Sequence, residues 1–343
     1  MKIGLALGSG GARGWGHIGV LRAFYANGLT PDIICGTSMG ALVGAMAASG
    51  ALDSLEDFVR GLSPGQVRRM IDPNLAAGGL IAGTATMRKL RDLGLRARIE
   101  DLDLPFLAVA TDLNAGREVW LRSGDLAEAV RASIAIPGIF TPVWNDGRWL
   151  LDGGMTNPVP VSACRAMGAD IVIAVDPNAG RFVPVVHSAP GTTRGAAAAA
   201  APPDGVKAQA AAEGAVTETM DPAKGTPEPG GRFDWLTRAL PELPFERLSL
   251  GMPELPPPLR ELLGPSPDPV HRPPGYLEVL STSIDVMTDH IRRSRLAGDP
   301  PHVLVEFALQ EMSVLDFSAA GAAIDEGHTA AMAQMPLIER LLG

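Results

Sequence analysis

The sequence predicts an α/β fold built on a mainly parallel, helix-covered sheet. Strand-like and helix-like runs alternate along residues 1–180. Some strand-like runs, such as Ile171 to Val175, are apolar throughout, as is typical of strands covered on both faces. The chain has 343 residues and is 46% hydrophobic, which is enough apolar material for a large core.

Each predicted element follows from the spacing of its apolar residues and from the prolines and glycines that interrupt or end it. The predicted strands are 2–7, 33–35, 106–111, 118–121, 149–151 and 171–175. The predicted helices are 15–26, 41–48, 126–135 and 161–167, with a further helical stretch at 52–98 that is broken near Pro64, Pro73 and several glycines. After residue 275 we expect a helix over 277–296, a strand over 302–307, and a terminal helix over 318–342 broken at Pro336.

Residues 187–275 differ from the rest of the chain, because they hold 17 of its 30 prolines together with an alanine run. This composition predicts a partly disordered insertion. Residues 1–186 and 276–343 then form one catalytic domain around it. Within the insertion, the segment from Phe233 to Leu240 has amphipathic spacing, so it either folds back on the core or acts as a lid or interfacial segment.

Composition excludes several classes of function. The net charge of −9 argues against nucleic acid as a partner, and a basic cluster at Arg292, Arg293 and Arg295 is interpreted as a solvated helix face. No cysteine and histidine cluster has metal-ligand spacing, so neither a metal nor a cofactor is expected. The N-terminus lacks signal-peptide features, and no stretch is long and apolar enough for a membrane span. We expect a cytoplasmic protein, with peripheral contact at the inner membrane surface as its only membrane association. Cys35 and Cys164 lie in apolar runs and are expected to be buried free thiols.

Ser38 lies in a G-x-S-x-G pattern made by Gly36, Ser38 and Gly40. Small residues on both sides of a serine allow a tight turn from strand to helix, which raises the hydroxyl above the sheet at a helix N-terminus. The pattern predicts a nucleophile.

A second glycine-rich loop follows the first strand and opens the next helix. Backbone N–H groups at such a helix start can bind an oxyanion. The expected donors are Gly10, Gly11, Ala12 and Arg13, flanked by Gly8 and Gly14. Arg13 is expected to orient the loop or to reach a phosphate head group. A nucleotide-binding loop fits poorly, because Arg13 stands where its third glycine would fall.

The general base is the less obvious partner. None of the six histidines lies on a glycine-rich loop, and His17 is expected to pack against the first loop. Asp152, in contrast, stands at a strand end before Gly153 and Gly154 and could accept the serine proton directly, although Asp-Gly-Gly alone also fits a plain turn.

Together the three motifs resemble the patatin-like phospholipase family. The resemblance rests on Gly8 to Gly14, Gly36 to Gly40 and Asp152 to Gly154, with support from 110–114 and 130–138. It implies a patatin-like three-layer α/β/α fold and a lipid acyl hydrolase with a Ser38–Asp152 dyad. It also implies phospholipids or other acyl lipids as substrates.

Two alternatives remain open. One is an esterase or thioesterase of the Ser-His-Asp type, in which His302 or His328 would satisfy the usual chain order. The other is a lipid-binding regulator without catalysis.

Overall fold

The structure, a computed structural model, describes residues 1–74, 78–180, 276–309 and 312–343. The backbone separates into two units, Met1–Val185 with Pro274–Gly343 and Val186–Pro273, and every described residue lies in the first. The predicted insertion at 187–275, with its lid or interfacial segment, lies outside the described residues and stays a prediction.

A single eight-stranded sheet forms the centre of the described fold, and seven of its strands follow the order β5-β6-β3-β2-β1-β7-β8 while β4 pairs with β3. The β1–β2, β1–β7, β2–β3 and β7–β8 pairs are parallel, and the pairs made by β4, β5 and β6 are antiparallel. The strands are β1 (Ile3–Leu7), β2 (Ile33–Thr37), β3 (Phe106–Asp112), β4 (Glu118–Leu121), β5 (Val143–Asn145), β6 (Arg148–Asp152), β7 (Ile171–Asp176) and β8 (Val303–Glu306).

Helices cover both faces of the sheet, which confirms the predicted three-layer α/β/α class. Successive β1 residues alternate between two hydrophobic clusters, with Leu5 and Leu7 in one and Ala6 in the other. Residues of α1, α2, α3, α6 and α9 join the first cluster, and residues of α7 join the second. The helices are α1 (Gly16–Ala26), α2 (Met39–Ala48), α3 (Leu52–Arg60), α4 (Pro64–Met70), α5 (Thr84–Asp92), α6 (Leu126–Ser133), α7 (Val161–Ala166), α8 (Tyr276–Gly298) and α9 (Ala320–Leu342).

Strand β3 aligns two distant segments on one of its edges. β4 occupies one edge of β3 along 108–111, while β2 pairs with 106–109 and β6 with 110–112. Because a strand has only two edges, β2 and β6 must follow one another on the same edge. Thr37 pairs with Val109 and Asp152 pairs with Ala110, so the end of β6 meets the end of β2.

Two sequence predictions of elements need correction. The terminal helix is continuous through Pro336, although a break was expected there. Met335 and Ile338 on either side are buried in the core, so packing holds the helix together despite the missing N–H. Strand β5 was not predicted, since it is only three residues long and partly exposed. In the described parts of the chain, no helix has the length and apolar character needed to cross a membrane.

Helices α1 and α9 pack so closely that glycine is required at their contact. A Cβ atom at Gly19 would collide with the carbonyl oxygen of Ile324, and one at Gly327 would collide with that of Gly16. We expect Gly19→Ala to lower the free energy of unfolding by about 1–3 kcal/mol, because backbone atoms cannot rotate away as a side chain can.

Urea unfolding of the purified variant measures this effect. Gly65→Ala is the matched control, because an added Cβ at Gly65 on α4 meets nothing within 4 Å and alanine favours a helix. Equal loss of stability in both variants would contradict the close-packing explanation.

Candidate active site

Ser38 occupies a strained turn between β2 and α2, as the nucleophile pattern predicts. Its φ of 55° and ψ of −122° are a backbone conformation that residues with a side chain rarely adopt. Its N–H donates to Ser133 Oγ at 2.9 Å, and that hydroxyl donates to the carbonyl of Val109 at 2.6 Å. Ser133 on α6 therefore ties the turn to β3.

The glycines of the three motifs allow close approach of the backbone around this turn. A Cβ at Gly40 would collide with the carbonyl of Leu7 in β1, so α2 could not begin where it does with any other residue. A side chain would also meet neighbouring atoms at Gly8, Gly14, Gly36 and Gly153.

Ser38 and Asp152 are in direct contact. Ser38 Oγ donates to Asp152 Oδ2 at 2.6 Å, and both residues are buried. The other carboxylate oxygen, Oδ1, accepts the N–H of Gly154 at 2.7 Å, and Thr111 Oγ1 donates to the Asp152 carbonyl at 2.9 Å. The carboxylate is thus fixed on both sides, with one oxygen facing the serine hydroxyl.

Burial raises the pKa of Asp152 to about 6, and the hydrogen bonds from Ser38 and Gly154 partly oppose this rise. A carboxylate with this pKa is mostly ionised at neutral pH, yet it is a stronger base than an exposed aspartate. Asp152 is therefore electrostatically suited to accept the Ser38 proton.

The first glycine loop lies beside this pair, but only part of it faces the serine. Gly10 and Gly11 line the same cleft as Ser38, whereas Ala12 and Arg13 are not among the described residues that line it. The N–H of Ala12 donates to the carbonyl of Val314 at 2.8 Å. Gly11 has a φ of 54° and approaches Val314 so closely that a Cβ would collide.

The Arg13 side chain is not placed to bind a ligand. It is almost completely buried and forms an ion pair with Asp285 on α8 at 3.2 Å. Of its two expected roles, orienting the loop agrees with this geometry, and reaching a phosphate head group does not.

Of the histidines that the structure describes, His17 and His302 have structural contacts, and His290 and His328 are exposed on α8 and α9. His17 Nε2 lies 2.7 Å from the carbonyl oxygen of Gly8, as expected for a residue that packs against the loop. Burial lowers the pKa of His17 to about 4, so its ring is neutral. His302 Nδ1 accepts the N–H of Val172 at 2.9 Å. His187 and His271 lie outside the described residues.

A buried charge network next to the glycine loop was not predicted. Asp176 at the end of β7 forms an ion pair with Arg292 of α8 at 2.7 Å, and both side chains are buried. Asp176 also accepts the N–H of Asn178, whose side chain donates to the Ser9 carbonyl at 2.7 Å. The interpretation of Arg292 as part of a solvated face was therefore wrong, although Arg293 and Arg295 are half exposed.

Ser38 and Asp152 lie in an open cleft, and the empty space in and around it, open solvent included, is about 700 Å³. One wall is a stripe of α8 whose members recur at helical spacing, and Ile136, Pro137 and Ile139 also line the cleft. The stripe consists of Ser281, Ile284, Asp285, Thr288, Asp289 and Arg292.

Both cysteines are buried and free, as predicted. Cys35 lies on β2 and Cys164 on α7, and their thiols contact each other across the second cluster.

The chain is similar in sequence to several known proteins. An uncharacterized NTE family protein of Mycobacterium tuberculosis is 42% identical over 192 residues, which are 56% of this chain and 53% of that protein. Patatin-like phospholipase domain-containing protein 6 of Homo sapiens is 35% identical over 181 residues, which are 51% of this chain and 13% of that protein. This chain thus matches about half the length of the mycobacterial relative and a small part of the human one.

A solved structure, that of VipD from Legionella pneumophila, aligns with 51% of this chain and 50% of its own at 16% identity and a TM-score of 0.34, too weak a likeness to carry an argument. The family model of patatin-like phospholipase matches residues 5–165, the range that holds the glycine loop, Ser38 and Asp152. The match covers 161 of the 343 residues, so it assigns residues 5–165, and not the whole chain, to the patatin-like phospholipase family.

Proposed function

We propose that this protein is a serine lipid acyl hydrolase that cleaves carboxylic ester bonds of phospholipids or related acyl lipids. The observation that carries the proposal is the 2.6 Å hydrogen bond from Ser38 Oγ to the buried carboxylate of Asp152. The family match supports the reaction class, since its members are typically lipid hydrolases.

The reaction begins when Asp152 takes the Ser38 proton and the Oγ attacks the ester carbonyl. The carbonyl oxygen becomes an oxyanion, and the N–H groups of Gly10 and Gly11 are the donors we assign to it. The C–O bond to the alcohol then breaks, the alcohol leaves with the proton from Asp152, and an acyl ester on Ser38 remains. Asp152 next deprotonates a water molecule, whose oxygen attacks the acyl carbon. The bond between that carbon and Ser38 Oγ breaks, Oγ takes the proton back from Asp152, and the fatty acid leaves.

This assignment names fewer oxyanion donors than the sequence prediction, which also included Ala12 and Arg13. Ala12 donates its N–H to Val314, so that group is already used. Arg13 contributes through its ion pair with Asp285, which fixes the loop against α8. In the loop between β1 and α1, Gly10 and Gly11 thus supply the proposed donors, and the next two residues, Ala12 and Arg13, hold the loop in place.

The Ser-His-Asp alternative is less compatible with this geometry. The position a catalytic histidine would take next to Ser38 Oγ is filled by Asp152 Oδ2. We expect the variants His302→Ala and His328→Ala to retain ester hydrolase activity. The His302 ring accepts a backbone N–H of β7, and His328 lies on α9.

An alkyl fluorophosphonate probe tests the proposed nucleophile. We expect the probe to label the wild-type protein and Ser9→Ala, and not Ser38→Ala. Ser9 is the matched control because its side chain lies in the same cleft. A wild-type protein that takes up no label and hydrolyses no ester would instead support the lipid-binding regulator.

The pH dependence of the reaction follows from the raised pKa of Asp152. The base must be ionised to accept a proton, so kcat/KM for a soluble short-chain ester should be constant above about pH 7 and should reach half of that value near pH 6. Below that pH it should fall about tenfold per unit as Asp152 becomes protonated. A profile recorded from pH 4.5 to 8 checks this, and a flat profile down to pH 4.5 would contradict the assignment of Asp152 as the base.

A further inference from the structure

The hairpin of β5 and β6 carries exposed aromatic side chains that no part of the mechanism uses. Trp144 is 57% exposed and Trp149 is 43% exposed. They stand directly opposite one another in the hairpin, with ring centroids 5.1 Å apart in an edge-to-face arrangement. Leu113, which is 48% exposed, donates its N–H to the Trp149 carbonyl. We call Leu113, Trp144 and Trp149 the hairpin surface.

The hairpin surface lies at the same edge of the sheet as the nucleophile. Ser38 follows the carboxyl end of β2, and β6 pairs with the part of β3 that extends beyond that end. Trp149 is three residues before Asp152 in the same strand, which corresponds to about 10 Å. The tryptophans therefore lie at the sheet edge that holds Ser38 and Asp152, although the side chains of Trp149 and Asp152 point to opposite faces of the sheet.

Charge around the hairpin surface is balanced. The hairpin contains Asp146 and Arg148, and the neighbouring turn contains Asp112 and Arg117, so the formal charges cancel. Asp112 has a lowered pKa, chiefly through the N–H of Ala115, with Arg148 also contributing, so it is ionised at neutral pH. The chain as a whole carries −9. This region offers neither attraction nor repulsion to a zwitterionic surface, whereas the whole chain is repelled by an anionic one.

The size of the hairpin surface argues against a second copy of the chain as its partner. A tryptophan presents roughly 150–250 Å² in total, and about half of each ring is exposed, so the two rings offer on the order of 200 Å². A stable dimer buries about 800 Å² on each partner. Indole rings are also the side chains that settle at the boundary between lipid head groups and acyl chains.

We propose that the hairpin surface docks on a zwitterionic lipid surface by shallow insertion of Trp144 and Trp149. Docking brings the sheet edge that holds Ser38 and Asp152 to the layer that supplies the acyl substrate. The proposal rests on the proposed hydrolase function for its purpose, but the docking itself does not depend on catalysis.

The test uses the full chain with Ser38→Ala, so that no lipid is consumed. Its sedimentation with phosphatidylcholine vesicles is compared with that of the same protein carrying Trp144→Ala and Trp149→Ala. We expect the tryptophan variant to partition onto vesicles on the order of tenfold less. The matched control carries Leu337→Ala and Leu341→Ala, two exposed leucines on α9, and should bind as before.

Several outcomes would overturn the proposal. They are equal binding by the tryptophan variant, absence of binding by the parent protein, and binding that requires phosphatidylserine and disappears in high salt. A dimer in size-exclusion chromatography that the tryptophan substitutions dissociate would assign the surface to a second copy instead.

A second measurement separates this proposal from the proposed function. With Ser38 intact, the tryptophan variant should hydrolyse a soluble short-chain ester at the wild-type rate and lose activity on vesicles. If the wild-type protein hydrolyses neither substrate, the proposed function fails, while the sedimentation result still decides whether the hairpin surface docks.

Discussion

Asp152→Asn is expected to lower kcat/KM for a soluble ester by roughly 10²- to 10⁴-fold. Asparagine has the same shape, so its oxygen can still accept the Gly154 N–H that holds Oδ1 in the native protein. Its NH₂ group would face Ser38 Oγ and donate to it instead of accepting its proton. The serine would then have no base within reach, although its position in the turn would be unchanged.

The measurement is steady-state hydrolysis of a short-chain ester, with fluorophosphonate labelling as a second readout. Asp112→Asn is the matched control, since it removes one carboxylate from the neighbouring strand without touching Ser38. Its rate should stay close to that of the wild-type protein. Retention of activity in Asp152→Asn, combined with its loss in His302→Ala or His328→Ala, would establish a histidine triad in place of the dyad.

Arg292→Gln is expected to lower the free energy of unfolding by about 3–5 kcal/mol. Arg292 is 8% exposed and binds Asp176 and Asp289 at 2.7 Å each. Burial raises the pKa of Asp176, and Arg292 is the main group that opposes this rise. Removing the guanidinium leaves a buried carboxylate without a counter-charge, a larger penalty than the loss of a surface ion pair.

Arg293→Gln provides the matched control, because Arg293 binds the same Asp289 from a half-exposed position. Its substitution should cost less than about 1 kcal/mol in urea unfolding, as is usual for exposed pairs. Adding Asp176→Asn to Arg292→Gln should restore part of the lost stability, since the unpaired charge is then gone. Similar losses in the two single variants would contradict the importance of burial.

The order of strands and helices could be predicted because it depends on local patterns. Buried parallel strands are apolar along their whole length, and the helices that cover them repeat their apolar residues at helical spacing. Pro336 misled the prediction, because packing of α9 against α1 outweighs a local preference that the sequence displays by itself. Strand β5 is half exposed, and it has neither a continuous apolar run nor apolar residues at helical spacing.

The candidate site likewise has parts that local sequence patterns predict and parts that they do not. Ser38, Asp152 and the glycine loop are each recognisable from a few adjacent residues, but their contact depends on β3, which aligns β2 and β6 on one edge. Ser133 lies within the run 130–138 that supports the resemblance, but neither its sequence context nor that of Arg292 indicates the residue it binds. Ser133 meets Ser38 from 95 residues away, and Arg292 meets Asp176 from 116 residues away. A buried arginine has the same sequence appearance as an exposed one, and only the partner across the fold distinguishes them.

Two buried ion pairs anchor helix α8, since Arg13 binds its Asp285 and Asp176 binds its Arg292. Asp285 and Arg292 lie seven residues apart, which is about two helical turns. Ile284 and Thr288 face the cleft on the same stripe of the helix without belonging to either anchor. Changes at these two positions can therefore reshape this wall of the cleft while the helix backbone and the Ser38–Asp152 pair stay in place. Evolution or protein engineering can thus change which molecules fit the cleft through two side chains on a fixed wall.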